Sequence, residues 1–158
     1  MRCMTLVALL IASGAASAAD IHAYWENHCL ECHGHAGAFA RDRLTVEDGV
    51  LASDRWGTRL ERFLANHYTT PATLGPIVAM LTAQVTTPPL YAEHCRSCHA
   101  TAADLVRNSV ERRDGVLYAR SSGQALAPFL ERHGGLAGEE VPVVLQVLDR
   151  LVDETLAR

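Results

Sequence analysis

Two strings of nearly identical chemistry stand in this chain: His28-Cys29-Leu30-Glu31-Cys32-His33 and His94-Cys95-Arg96-Ser97-Cys98-His99. In each, two thiols three positions apart are followed directly by an imidazole, and four chemistries use such a set. Two Cys-x-x-Cys knuckles brought together could hold zinc as a tetrathiolate. Each pair could close a disulfide, or cycle as a redox dithiol. Each string could also carry covalent haem, for which Cys-x-x-Cys-His is the attachment pattern.

The surrounding residues separate these. A shared zinc site requires no histidine after each pair and no repetition of the rest of the fold. A thioredoxin-like pair sits beside a βαβ pattern, which is absent. Disulfides between Cys29 and Cys32 and between Cys95 and Cys98 would close tiny loops and stabilise little. Covalent haem uses every residue of the string: the thiols meet the two vinyl groups on one porphyrin edge, and the next residue swings its imidazole under the iron.

The elements that must position these groups come as a duplicate. Cys95 lies 66 positions after Cys29 (95 − 29), and the same shift superimposes Arg41 on Arg107, Asp48-Gly49-Val50-Leu51 on Asp114-Gly115-Val116-Leu117, Gly57 on Gly123, Leu60 on Leu126, Phe63-Leu64 on Phe129-Leu130, His67 on His133 and Pro76 on Pro142. Trp25 meets Tyr91. A register this long marks a tandem duplication, joined near Thr86-Thr87-Pro88-Pro89, where two prolines break any helix.

Periodicity predicts helices over 21–29 (after Asp20 as N-cap), 58–67, 73–85, 90–95, 124–133 and 139–156. Pro76 is tolerable in the first turn of the third. No long period-two alternation appears, so the expectation is an all-α fold of two small helical units. Asp48-Gly49 and Asp114-Gly115 read as turns. Units of about 66 residues with few aromatics make poor cores and usually need a metal, disulfides or a cofactor to fold.

Residues 1–18 read as an export signal: Arg2 supplies a positive end, 6–12 form a short apolar run, and Ala16-Ser17-Ala18 is a small-x-small cleavage pattern. That run is too short to span a bilayer, which needs about 20 residues, and no second one follows. The expected organisation is a cleaved signal peptide at 1–18, a first unit at 19–86 and a second at 87–158, in the periplasm. Cleavage would discard Cys3 and leave about 139 residues. Losing Arg2 leaves 13 basic against 18 acidic residues, a net charge of −5 (13 − 18). Nucleic acid, which needs a basic surface, is excluded as a partner.

With Trp25-x-x-His28-Cys29-x-x-Cys32-His33-Gly34 and Tyr91-x-x-His94-Cys95-x-x-Cys98-His99 in register behind an export signal, the chain resembles a dihaem protein built from two units similar to class I c-type cytochromes. The resemblance covers essentially the whole mature chain. It implies two haem c groups, attached through Cys29 and Cys32 and through Cys95 and Cys98, with His33 and His99 as proximal iron ligands.

The chain departs from that family at the second axial position, where class I cytochromes place a methionine. Only Met80 remains after cleavage, its counterpart is Gln146, and its apolar neighbours read as core. The better distal candidates are His67 and His133. Each closes an apolar helical face, Leu60-Phe63-Leu64-His67 and Leu126-Phe129-Leu130-His133, and each lies 34 positions after its motif histidine (67 − 33 and 133 − 99). His28 and His94 read as polar residues of the first helix of each unit, and His22 and His35 as exposed. Arg41 and Arg107 are either propionate partners or solvated charges.

Bis-histidine ligation would leave no open iron position and a potential below that of Met/His cytochromes. The expected function is a one-electron carrier, not an enzyme, relaying between a donor and an acceptor protein with basic or neutral docking surfaces. The alternatives are a haem-bearing subunit of a larger periplasmic oxidoreductase, or a gas or redox sensor with one labile axial ligand.

Overall fold

The computed structural model describes residues 19–155. The expected signal segment and Cys3 lie outside the described residues.

The first half opens with α1 (Ile21–His28), whose N-cap Asp20 accepts a hydrogen bond from the Ala23 amide at 2.9 Å. A single turn, α2 (Leu30–His33), carries the first motif, and α3 (Ala36–Arg43) follows. A hairpin of β1 (Leu44–Glu47) and β2 (Val50–Ser53) leads to α4 (Leu60–Leu64) and α5 (Pro71–Thr86). The second half runs α6 (Leu90–His94), α7 (Ala102–Ser109), β3 (Val110–Arg113), β4 (Val116–Ala119), α8 (Leu126–Leu130) and α9 (Glu140–Thr155).

The all-α expectation is overturned by the two antiparallel hairpins, which make the fold mixed. Leu44 pairs with Ser53 and Glu47 with Val50; sixty-six positions on, Val110 pairs with Ala119 and Arg113 with Val116. The cause lies in the turns. Asp48 and Gly49 have φ of 48° and 80°, and Asp114 and Gly115 have 48° and 76°. Two consecutive left-handed residues form the two-residue turn whose twist matches that of paired strands, and Asp-Gly is its favoured sequence. The four-residue strands are too short for their alternation to stand out in a sequence window.

The helices also differ from expectation in detail. The face over 58–67 is helical only across α4; the chain then tightens, with the Asn66 amide bonding Phe63 O at 3.0 Å and the His67 amide bonding Leu64 O at 2.9 Å. These i→i−3 bonds keep Phe63 and His67 on one side. Pro76 lies well inside α5, which starts at Pro71 behind a reciprocal Thr70–Thr73 capping box, whereas Pro142 sits in the first turn of α9. Helices α3 and α7 had no sequence expectation.

Each half packs its own buried cluster. Trp25, Ala40, Leu44, Leu51, Leu60, Ile77 and Met80 belong to the first, and Val106, Val110, Leu117, Leu126, Val144, Leu148 and Leu151 to the second. Ala40, Leu44, Leu51 and Leu60 map onto Val106, Val110, Leu117 and Leu126 under the 66-residue shift.

Polar bonds then join the halves. His22, expected to be exposed, is buried, and its Nε2 lies 2.7 Å from Glu154 Oε2 on α9. Arg107 Nε donates to Asp20 Oδ2 at 2.8 Å, and its Nη1 donates to Glu26 Oε1 at 3.3 Å and to Asp104 Oδ1 at 2.7 Å. Burial alone would raise the Asp20 carboxyl, but the Arg107 guanidinium and the Ala23 amide hold it below its usual range.

Candidate functional site

Both motifs adopt one local geometry. The Cys29 amide bonds Trp25 O at 2.8 Å, and the Cys32 and His33 amides bond Cys29 O at 3.2 and 2.9 Å. In the second half the Cys95 amide bonds Tyr91 O at 2.9 Å, and the Cys98 and His99 amides bond Cys95 O at 3.1 and 2.9 Å. One tight turn thus puts two thiols and an imidazole at a helix end. The four cysteines among the described residues are free; Cys32 and Cys98 are exposed, Cys29 and Cys95 half-buried. Burial pushes the Cys29 thiol up, helped by the neighbouring Cys32, and burial does the same to Cys95. Reactive redox cysteines have the opposite shift. Among the described residues no cluster of three or more His, Cys, Asp or Glu side chains is assembled, so the two knuckles do not converge on one zinc centre.

His33 and His67 face each other with ring centres 6.0 Å apart, and His99 and His133 do so at 6.2 Å. That spacing suits a metal held between two imidazoles. An imidazole nitrogen sits about 2.0–2.1 Å from a bound first-row metal such as zinc and about 1.1 Å from its own ring centre, so trans imidazoles have ring centres about 6.3 Å apart. Burial, then the proximity of His67, lowers the His33 pKa and favours the neutral, metal-binding form.

Neighbours fix the rings. Phe39 stands edge-on to His33 at 4.6 Å, with Trp25 at 6.2 Å, and Trp25 Nε1 donates to Gly34 O at 2.9 Å, tying α1 to the turn below the motif. Phe63 stacks on His67 at 4.7 Å and Phe129 on His133 at 4.5 Å, both at 26°.

The residue after each distal candidate is left-handed: Tyr68 at φ 53° and Gly134 at φ 87°. Its carbonyl is held from the first helix of its half, by the Tyr24 hydroxyl at 2.8 Å in one case and by His94 Nδ1 at 3.2 Å from Gly134 O in the other. Sequence reasoning missed this role of Tyr24, Tyr68 and His94. The repetition of His28 at His94 was visible, but His28 does something else, its ring lying tilted against Tyr24 at 4.3 Å.

Met80 is fully buried in the first core with Ile77 and Leu81. Arg107 spends its donors on three carboxylates, which removes it as a propionate candidate. Arg41 has no ion pair among the described residues and lines a cavity of about 170 Å³ between the halves, together with exposed His35, Trp25, Tyr91, Arg96 and Arg150. None of the four cysteines or four paired histidines lines that cavity.

No family model, curated protein or solved structure matches the chain.

Proposed function

We propose that the chain is an exported one-electron carrier bearing two haem c groups. Cys29 and Cys32 would bind one and Cys95 and Cys98 the other, with His33 and His99 as proximal ligands and His67 and His133 as distal ones. The observation that carries this reading is the pair of opposed imidazoles, built twice, each with one member next to a Cys-x-x-Cys turn.

Bound haem would supply a single-electron couple at an iron whose two axial positions are both filled. The side chains do the positioning. Phe39 and Trp25 limit rotation of His33, while Phe63 and Phe129 shield one face of His67 and His133. The ties from Tyr24 to Tyr68 and from His94 to Gly134 hold each distal turn against the helix that leads into the motif. Among the described residues the buried polar side chains are His22, Thr73 and Thr155. No helix among the described residues is long and apolar enough to cross a membrane.

Production in a host competent in cytochrome maturation, followed by pyridine haemochrome analysis and intact mass, should show two covalent haems on a chain lacking about 18 residues, the length of the signal pattern. The reduced protein should bind carbon monoxide poorly. A colourless yet stably folded product defeats the proposal, and ready carbon monoxide binding at both haems defeats the bis-histidine assignment.

A further inference from the structure

One surface of the first half has no counterpart in the second. Trp56, Arg59, Arg62, Phe63 and Asn66 line an open groove of about 360 Å³. Its floor is aromatic. Trp56 stacks on Phe63 at 4.6 Å and 14°, and Phe63 stacks on His67, so Trp56 is the outer ring of a three-ring stack that ends at the distal histidine. The Arg55 guanidinium lies 5.5 Å from the centre of the Trp56 ring.

Arg55, Arg59 and Arg62 are exposed; like Arg41, Arg43, Arg96, Arg120 and Arg132 they have no ion pair among the described residues, but these three are gathered at one groove. Asp54 and Glu61 belong to the same stretch but do not line the groove. Under the 66-residue shift the four positions of Arg55, Trp56, Arg59 and Arg62 become Ser121, Ser122, Ala125 and Pro128, while Phe63 is kept as Phe129. The ring beside the histidine is common to both halves; the tryptophan and the cations are not.

The occupant can be argued from size and charge. Sites for small molecules bury about 70–90% of their ligand, which five side chains on one open face do not achieve. Tryptophan and arginine are the residues most enriched where protein interfaces concentrate their binding energy. Unpaired cations on a chain of net charge −4 would turn this face toward negative charge.

We propose that this groove is the docking surface for an acidic electron-transfer protein, with Trp56 at its centre and Arg55, Arg59 and Arg62 as its rim. The inference rests on the electron-carrier reading above, and locally it reverses the expectation of basic or neutral partners.

The two indoles of the chain make the test internal. Trp25 is buried and bonded to Gly34, while Trp56 is half-exposed in the groove. The reduced, fully haem-loaded protein is titrated with a flavodoxin, a small acidic one-electron protein, and both indole N–H resonances are followed by NMR. The Trp56 resonance should move, the Trp25 resonance should not, and added salt should weaken the effect. The R59E/R62E double variant should lose about tenfold in affinity, and R132E, at the equivalent of Asn66, should lose none.

An unmoved Trp56 resonance, or wild-type affinity in R59E/R62E, overturns the proposal. So does a changed Soret band or reduction potential in R59E/R62E at equal haem content, which would put these arginines against the pigment rather than a partner. Pyridine haemochrome on the same samples keeps the two ideas apart, because absence of covalent haem overturns the carrier reading itself.

Discussion

Residues 44–53 and 110–119 form the same hairpin in the same register, while the next stretch, 54–66 against 120–132, keeps its glycine, its apolar face and little else. The contrast sorts the positions by what constrains them. In the hairpin, Asp48-Gly49 and Asp114-Gly115 must turn left-handed, and Leu44, Leu51, Val110 and Leu117 must fill a core. Beyond it, Leu60 and Leu64 recur as Leu126 and Leu130 because they pack in the cores, and Phe63 recurs as Phe129 because it stacks on the histidine. The outward positions are free to differ, so the first half exposes three arginines and a tryptophan where the second shows serine, alanine and proline. The halves match in the turn and core residues of the hairpin and in the ring that stacks on each histidine, and part at the outward positions of 54–66 and 120–132.

The largest test of that equivalence removes one attachment pair at a time. If each half binds its own haem as proposed, C29S/C32S and C95S/C98S should each lose one haem, read as the haemochrome yield per chain. If either variant loses both, the halves do not load independently. Next, His67→Ala and His133→Ala should each create one carbon monoxide-binding haem in the reduced protein, seen as partial conversion of the Soret band. A variant that binds none would mark that half as ligated by another residue.

The joint between the halves comes third. Arg107→Ala leaves Asp20 and Glu26 without their shared donor and should lower stability by roughly 1–3 kcal/mol in denaturant unfolding at neutral pH. Because the Asp20 pKa is lower folded than unfolded, its contribution is present above the unfolded value of about 3.9 and fades as pH falls through the lowered one. The acid-side loss of stability should therefore be shallower in Arg107→Ala. An unchanged acid profile would remove Asp20 from the clamp.

Smaller effects probe the backbone. Gly49→Ala and Gly115→Ala place a side chain at φ 80° and 76°, and each should cost about 1–2 kcal/mol. Because open space surrounds both glycines, the two losses should be nearly equal, and a large inequality would show that the hairpins are not equivalent. The smallest effect is expected from Tyr68→Gly, which relieves a left-handed tyrosine but gives up its edge contact with His67 at 5.2 Å. Thermal unfolding should shift by no more than the equivalent of about 1 kcal/mol, whereas Gly134→Tyr should destabilise.

Much of the candidate site was open to reading along the chain. The Cys-x-x-Cys-His strings, the 66-residue shift and the constant 34-residue step to His67 and His133 are one-dimensional features. The hairpins were half-visible: Asp-Gly turns were recognised, but strands of four residues carry too little periodicity to be told from loops. His22 and Arg107 were misread because their partners, Glu154 and Asp20, lie 132 and 87 positions away, and no local pattern encodes a contact at that range.

What the sequence by itself determined is therefore the chemistry and its repetition: which thiols and imidazoles occur, how far apart, and twice. Covalent spacing and helical period act over a few residues and leave their mark in the order of residue types. Only the tertiary structure decided the rest. It brought His33 to His67 and His99 to His133, joined the halves through His22, Glu154 and Arg107, tied the turns after His67 and His133 through Tyr24 and His94, and gathered Arg55, Arg59 and Arg62 on one exposed face with no ion pair among the described residues. Those outcomes depend on which faces of distant segments pack together, a matter of buried area and polar pairing across the whole chain that no short window contains.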